Sequence, residues 1–249
     1  MSIVLHIPHA SKNIPDEYLK YFNLSKKDLE IELLKMTDHF TDELFNVLGD
    51  NIHQLKFTIS RLLVDVERFE KDELEPMCKV GMGCIYEKTH DGNSLKNVEN
   101  IKDELINKFY KTHYENFTKI VDKKLIENNK VLVIDCHSFP KHPLPYELNQ
   151  EMDRPEICIG TDNFHTSEKI KRAFGRLLEE LNFTVKYNEP FKGSIVPLKF
   201  YNKEIRVQSI MIEVRRDIYM NEQSGEKNEY FFDVQNKLRF IIYNVLHNI

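Results

Sequence analysis

The stretch Val131–Phe139, VLVIDCHSF, decides the reading of this chain. Its apolar opening has the length of one buried strand, and it ends abruptly in Asp135, His137 and Ser138. Open α/β sheets bind ligands in the crevice beyond the carboxyl ends of their strands. A polar cluster at that end marks His137 as a candidate functional group, with Asp135 and Ser138 beside it to orient the imidazole. Two other stretches share this character: VLHIPHAS at Val4–Ser11, which carries His9, and SIMIEVRR at Ser209–Arg216, which carries Glu213. Two histidines and a carboxylate on separate strand ends suggest a metal site with a base.

Outward from these stretches, the chain alternates strand and helix signals. Ser2–Ile7 reads as a strand broken by Pro8, and Ser25 followed by Asp28 reads as a helix start, the helix running to about Leu48 with a possible break. Asp38 and Asp42 would then stand one helical turn apart. Phe57–Val66 is a second strand candidate, interrupted by Thr58, Ser60 and Asp65. Lys96–Asn128 has helical periodicity over one helix or two. Pro140, Pro143, Pro145 and Pro155 predict a long ordered loop beside the site. Ile157–Gly160, Phe183–Tyr187 and Gln208–Val214 read as strands, and Ser167–Leu181 and Phe231–Asn248 as helices. This alternation implies an α/β sheet covered on both faces.

The composition suits an ordinary globular protein: 249 residues, 41% hydrophobic and 30% charged. Without a repeat or a convincing linker, one domain over residues 1–249 is expected. A net charge of −5 argues against a nucleic-acid binder that relies on phosphate neutralisation. No apolar run approaches the roughly 20 residues needed to span a bilayer. The opening MSIVLHIPHASKNIP has neither a basic leader nor a small-residue cleavage site, so a cytoplasmic location is expected. The four cysteines form no Cys-x-x-Cys pair and read as reduced thiols.

Each candidate residue has a plain alternative. His9 is either a ligand or a loop histidine bonded to backbone. Glu213, between Met211, Ile212 and Val214, is either a base in an apolar wall or the partner of Arg215 or Arg216. Asp38 and Asp65 are rival third ligands, since a catalytic zinc typically takes three protein ligands and leaves a position for water. Arg61 and Arg68 flank Asp65 and have the forked shape that recognises carboxylates. Gly193 suits a close backbone approach to ligand.

Together these residues resemble the N-formylglutamate amidohydrolase family, in order over nearly the whole length. The resemblance is carried by Pro8-His9 with Ile14-Pro15; Thr37-Asp38 with Asp42 and Leu44; and Ser60, Arg61, Asp65 and Arg68. It continues through Asp135, His137 and Ser138, Gly160-Thr161 and Phe191-Lys192-Gly193 to Gln208, Glu213, Arg216, Tyr219 and Met220. It implies a three-layer α/β domain with a central mixed sheet, phosphorylase/hydrolase-like and similar to the zinc carboxypeptidases. It also implies zinc-dependent hydrolysis of N-formyl-L-glutamate to formate and glutamate. On that resemblance His9, Asp38 and His137 are the metal ligands, Glu213 is the base and Arg216 assists it, while Arg61, Arg68, Ser138 and Gly193 meet a small carboxylate-bearing substrate. His and carboxylate ligands also admit manganese, iron or cobalt.

Three departures stand out. Asp65-Val66-Glu67-Arg68 replaces the family's Asp-Leu-Asn-Arg, and Glu67 would repel a dicarboxylate if it pointed into the pocket. His113-Tyr114 replaces Tyr-His, and Ser194 replaces a glycine. Two rival readings remain: a peptidase or cell-wall amidase, which an open groove beside Pro140–Pro155 would favour, and a binding protein, which widely separated ligands would favour.

Overall fold

The computed structural model describes residues 1–248. Its centre is a six-stranded mixed sheet in the order β2-β1-β3-β6-β4-β5. The strands are β1 (Ser2–Ile7), β2 (Ile52–Lys56), β3 (Val131–Phe139), β4 (Ile157–Gly160), β5 (Val185–Tyr187) and β6 (Val207–Arg215). β2, β1, β3 and β6 are mutually parallel, so their carboxyl ends share one edge; β4 joins β6 antiparallel and carries β5. The expected mixed α/β sheet between helices is therefore present.

Side chains alternate across each strand, and this sorts the sheet into two faces. Ile3, Leu5 and Ile7 of β1, Leu132, Ile134 and Cys136 of β3, and Ile210, Ile212 and Val214 of β6 form one apolar layer. Helix Glu168–Glu180 closes it with Ile170, Phe174 and Leu178, and helix Phe231–Asn248 with Val234, Leu238, Ile241 and Val245. Full burial of each such side chain contributes roughly 1.5–3 kcal/mol. On the other face Val4, Val131, Val133 and Val207 meet Phe117 and Val121 of helix Thr112–Asn128. Beyond those valines the same face turns polar, with His6, Asp135, His137 and Glu213 at the alternate positions.

Two expected elements differ from those observed. Phe57–Val66 is not a strand; the sheet contribution comes just before it, from β2, and only the Phe57 amide extends the ladder, donating to Ile7 at 2.9 Å. Ser60 then breaks the run: its carbonyl accepts from Leu63 and Val64, and its hydroxyl from Leu62. The apolar residues Ile59, Leu63, Val64 and Val66 bury instead against Tyr18, Ile85, Leu105 and Tyr110 in a separate cluster. The helix expected to reach Leu48 ends at Met36, because Thr37 is extended; only a short turn, Thr41–Leu44, follows. Its start is as expected, with the Ser25 hydroxyl capping the Asp28 amide at 3.2 Å. The Asp38 side chain is thus carried by a loop, tied to the end of β1 by its amide donating to the His9 carbonyl at 3.0 Å.

Lys102–Leu105, the π-turn Ile106–Lys111 and Thr112–Asn128 run on as one helical rod. Its Tyr110 and Tyr114 hydroxyls donate to the carbonyls of Arg68 and Val66, each at 2.8 Å, and so grip the segment that carries Glu67. No helix among the described residues is long and apolar enough to cross a membrane. All four cysteines are free.

Candidate metal centre and active site

His9, Asp38 and His137 converge at the carboxyl edge of β1 and β3, each with a donor atom within 4.8 Å of the others. Asp38 Oδ2 lies 3.1 Å from His137 Nδ1 and 3.6 Å from His9 Nδ1. Two ligands of a tetrahedral zinc, each about 2.0–2.1 Å from it, stand about 3.3 Å apart, so the spacing fits one ion. All three residues are buried, and His9 Nδ1 has no hydrogen-bond partner. A buried, unpartnered ring nitrogen aimed between a carboxylate and a second imidazole is the donor arrangement that a divalent ion satisfies. The donor set therefore fits such an ion.

The rival carboxylate, Asp65, stands behind this group. Its Oδ1 pairs with His9 Nε2 at 2.8 Å and accepts the Glu67 amide at 2.8 Å. Its Oδ2 accepts from Arg61 Nη2 at 2.9 Å and from the Tyr86 hydroxyl. With both oxygens engaged, Asp65 sets the His9 ring orientation, as a supporting carboxylate does behind a metal-ligating histidine. Burial opposes ionisation of Asp65, but the charges of His9, Arg61 and Arg68 hold its carboxyl well below the usual range.

Arg216 lies just past β6 and braces Asp38 rather than Glu213. Its Nη2 donates to Asp38 Oδ1 at 3.0 Å, its Nε to the Ser138 hydroxyl at 3.2 Å and its Nη1 to the Lys35 carbonyl at 2.6 Å. Ser138 is thus buried against Arg216, on the strand face opposite His137. For Asp38, burial disfavours the charged form, yet bonding to His137 and His9 and the nearby charges keep its carboxyl well below the usual range.

Glu213 is in register with His137 on the neighbouring strand, on the same face. Its Oε2 is buried and has no hydrogen-bond partner, which leaves it open to a reactant. Neither arginine beside it in sequence pairs with it: Arg215 turns to Asp217 at 2.6 Å, and Arg216 to Asp38. Burial pushes the Glu213 carboxyl up to about 8; His137 opposes this shift, while Asp38 and Asp135 add to it.

The two other arginines differ. Arg61 is tied to Asp65 and to the Tyr86 hydroxyl, with Nη1 3.8 Å from Asp38 Oδ1. Arg68 is the freer one: its Nε is buried without a hydrogen bond, 3.9 Å from Asp65 Oδ2. Gly193 has φ +94°, a conformation that favours glycine, and lies over Gly160 of β4 rather than among the charged groups. The loop after β3 is pinned by a buried Arg154–Glu147 ion pair, with the Arg154 guanidinium 5.8 Å from the Phe139 and Phe191 rings.

Several participants were not visible in the sequence. Tyr86 on Asp65 comes from an irregular loop and carries no local signal. His6 had one: it alternates with Val4 on β1 and is in register with Asp135. His6 Nδ1 lies 3.0 Å from Asp135 Oδ1 and 3.1 Å from Glu67 Oε1, and its Nε2 lies 2.9 Å from His113 Nε2. Glu67 therefore turns towards His6 and away from the arginines, and His113 faces the sheet. Burial opposes protonation of His6, but Asp135 and Glu67 raise its pKa to about 9.

Comparisons with known proteins bear on the fold and the family. The comparison with curated proteins returns no match. A crystal structure of N-formylglutamate amidohydrolase from Ralstonia eutropha JMP134 superposes with a TM-score of 0.84 at 21% identity, over 99% of this chain and 93% of that one. A gene product of Agrobacterium tumefaciens gives a TM-score of 0.66 at 18% identity, over 99% and 90%. At such identities these two likenesses establish the fold. The profile of the N-formylglutamate amidohydrolase family matches residues 1–220, which takes in every site residue named above. This chain belongs to the N-formylglutamate amidohydrolase family.

Proposed function

We propose that the protein is a zinc-dependent hydrolase of a small N-acyl amino acid bearing carboxylates, with N-formyl-L-glutamate as the first substrate to test. The observation that carries this reading is the convergence of His9 Nδ1, Asp38 and His137 beside the unpartnered carboxylate of Glu213. A divalent ion held by His9, Asp38 and His137 would polarise the amide carbonyl and make a water molecule more acidic. Glu213 takes the proton from that water and delivers it to the leaving amine. Arg68, with Arg61 behind it, meets the substrate carboxylate. Arg216 keeps Asp38 ionised and in place. Asp65 does the same for the ring of His9.

Burial supports a small substrate: His9, Asp38, His137, Glu213 and Arg216 are each at most 8% exposed. Glu67 does not oppose a dicarboxylate, because its charge is turned to His6.

Elemental analysis of protein purified without added metal or a metal-binding tag tests the centre. About one equivalent of zinc, lost in His137→Ala, is expected, together with formate release from N-formyl-L-glutamate. A protein that neither carries nor takes up zinc would overturn the reading.

A further inference from the structure

We propose that His6, Glu67 and Asp135 form a second divalent-cation site, deeper in the polar face than the first. The proposal does not depend on the first site being catalytic. The donor atoms of the three residues all lie within 4.8 Å of one another. His6 and Asp135 are buried, and the Glu67 side chain is 13% exposed.

The orientation of His6 carries the inference. Its ring stacks on Phe117, with centroids 4.7 Å apart and planes 2° from parallel. Its Nε2 is engaged with His113 Nε2. The ring is thereby fixed with Nδ1 aimed between two carboxylate oxygens, 3.0 Å from Asp135 and 3.1 Å from Glu67. A single N–H on that atom makes one directed bond, and the geometry gives it to Asp135. Glu67 Oε1 is left buried with no hydrogen-bond partner. Two carboxylates and one proton do not satisfy this corner.

A divalent cation does. It meets His6 Nδ1, Glu67 Oε1 and Asp135 Oδ1 at once, and its two charges balance the two carboxylates. His6 then binds through its Nδ1 lone pair and keeps its remaining proton on Nε2, which donates to His113. Neighbouring ligands of a six-coordinate ion with bonds of about 2.1–2.2 Å stand about 3.0 Å apart, which is the spacing of His6 Nδ1 from each of the two carboxylate oxygens. Two carboxylates and one imidazole suit an ion such as manganese, with water completing the shell. Asp135 Oδ1 also lies 3.0 Å from His137 Nε2, so the two sites adjoin through that pair.

The test is equilibrium dialysis of chelator-treated, tag-free full-length protein against Mn²⁺ and then Zn²⁺, with bound metal counted by elemental analysis. Wild type should hold two equivalents, and Glu67→Gln and His9→Ala one each, with melting temperatures confirming that the variants fold. A wild type that saturates at one equivalent, lost in His9→Ala and kept in Glu67→Gln, overturns this proposal and leaves the first site intact. One equivalent kept in His9→Ala but lost in Glu67→Gln supports the inner site and sinks the outer one. Should Glu67→Gln not fold, His6→Gln takes its place: it must hold one equivalent fewer than wild type, and a folded His6→Gln that keeps the full wild-type count overturns the proposal.

Discussion

The two faces of the central sheet are built from the same three strands and do different work. Leu132, Ile134 and Cys136 of β3 are apolar and press against two helices, with Ser138 alone polar at the strand's end on that face. Val131 and Val133 begin the other face in the same way, but Asp135 and His137 end it. One face is filled by side chains that ask only for exclusion of water. The other spends its last positions on groups that need partners, and their ordering depends on the first. The difference separates what folds this protein from what equips it to react.

The largest effect should come from the polar face. Glu213→Gln keeps the shape and removes the proton acceptor, so turnover should fall roughly 10²–10⁴-fold with melting temperature and metal content unchanged. A near-normal rate would take Glu213 out of the base role. The converse change is Phe174→Ala, on the apolar face, where the side chain is 1% exposed. It should lower unfolding free energy by about 3–5 kcal/mol while the folded fraction keeps its full metal complement. Loss of metal from the still-folded variant would show that the two faces are not separable in this way.

A smaller effect tests how the polar face is organised. Asp65→Asn retains the volume but weakens the hold on His9 Nε2, and should weaken zinc binding about 10- to 100-fold in a competition titration. Unchanged affinity would mean that Asp65 serves only its arginines.

The smallest effect lies away from both faces and serves as a control. Glu32 on helix Lys26–Met36 accepts from the amide and the ring of His90, and this bond raises the His90 pKa above its ordinary 6.5. A raised folded-state pKa means stability that is complete below the unfolded value and lost as pH rises through the folded one. The gain should be under about 1 kcal/mol, and Glu32→Gln should remove it without altering metal content. Equal pH dependence of the melting temperature in both proteins would contradict it.

How much of this was legible follows from where each residue sits. β3 and the ends of β1 and β6 announced themselves because a buried strand needs an unbroken apolar run, and polar residues at its end then stand out. His137, His9 and Glu213 were readable for that reason. Asp38 was named beside Asp65 and preferred to it only through the family pattern, because a loop aspartate has no periodicity to break. Its rivalry with Asp65 depends on which oxygens are already engaged, and only coordinates give that. β2 was misplaced because an edge strand with one face in solvent, IHQLK, lacks the apolar run that Phe57–Val66 displays. The role of Glu67 turned on a partner, His6, that lies 61 positions away in sequence.

The most direct test of the account is formate release from N-formyl-L-glutamate by chelator-treated protein, before and after one equivalent of zinc is returned. Activity that disappears with the metal and returns with it, but not in His137→Ala, is the predicted result. A metal-free protein that hydrolyses this substrate, or any other N-acyl amino acid it accepts, at an undiminished rate would contradict it.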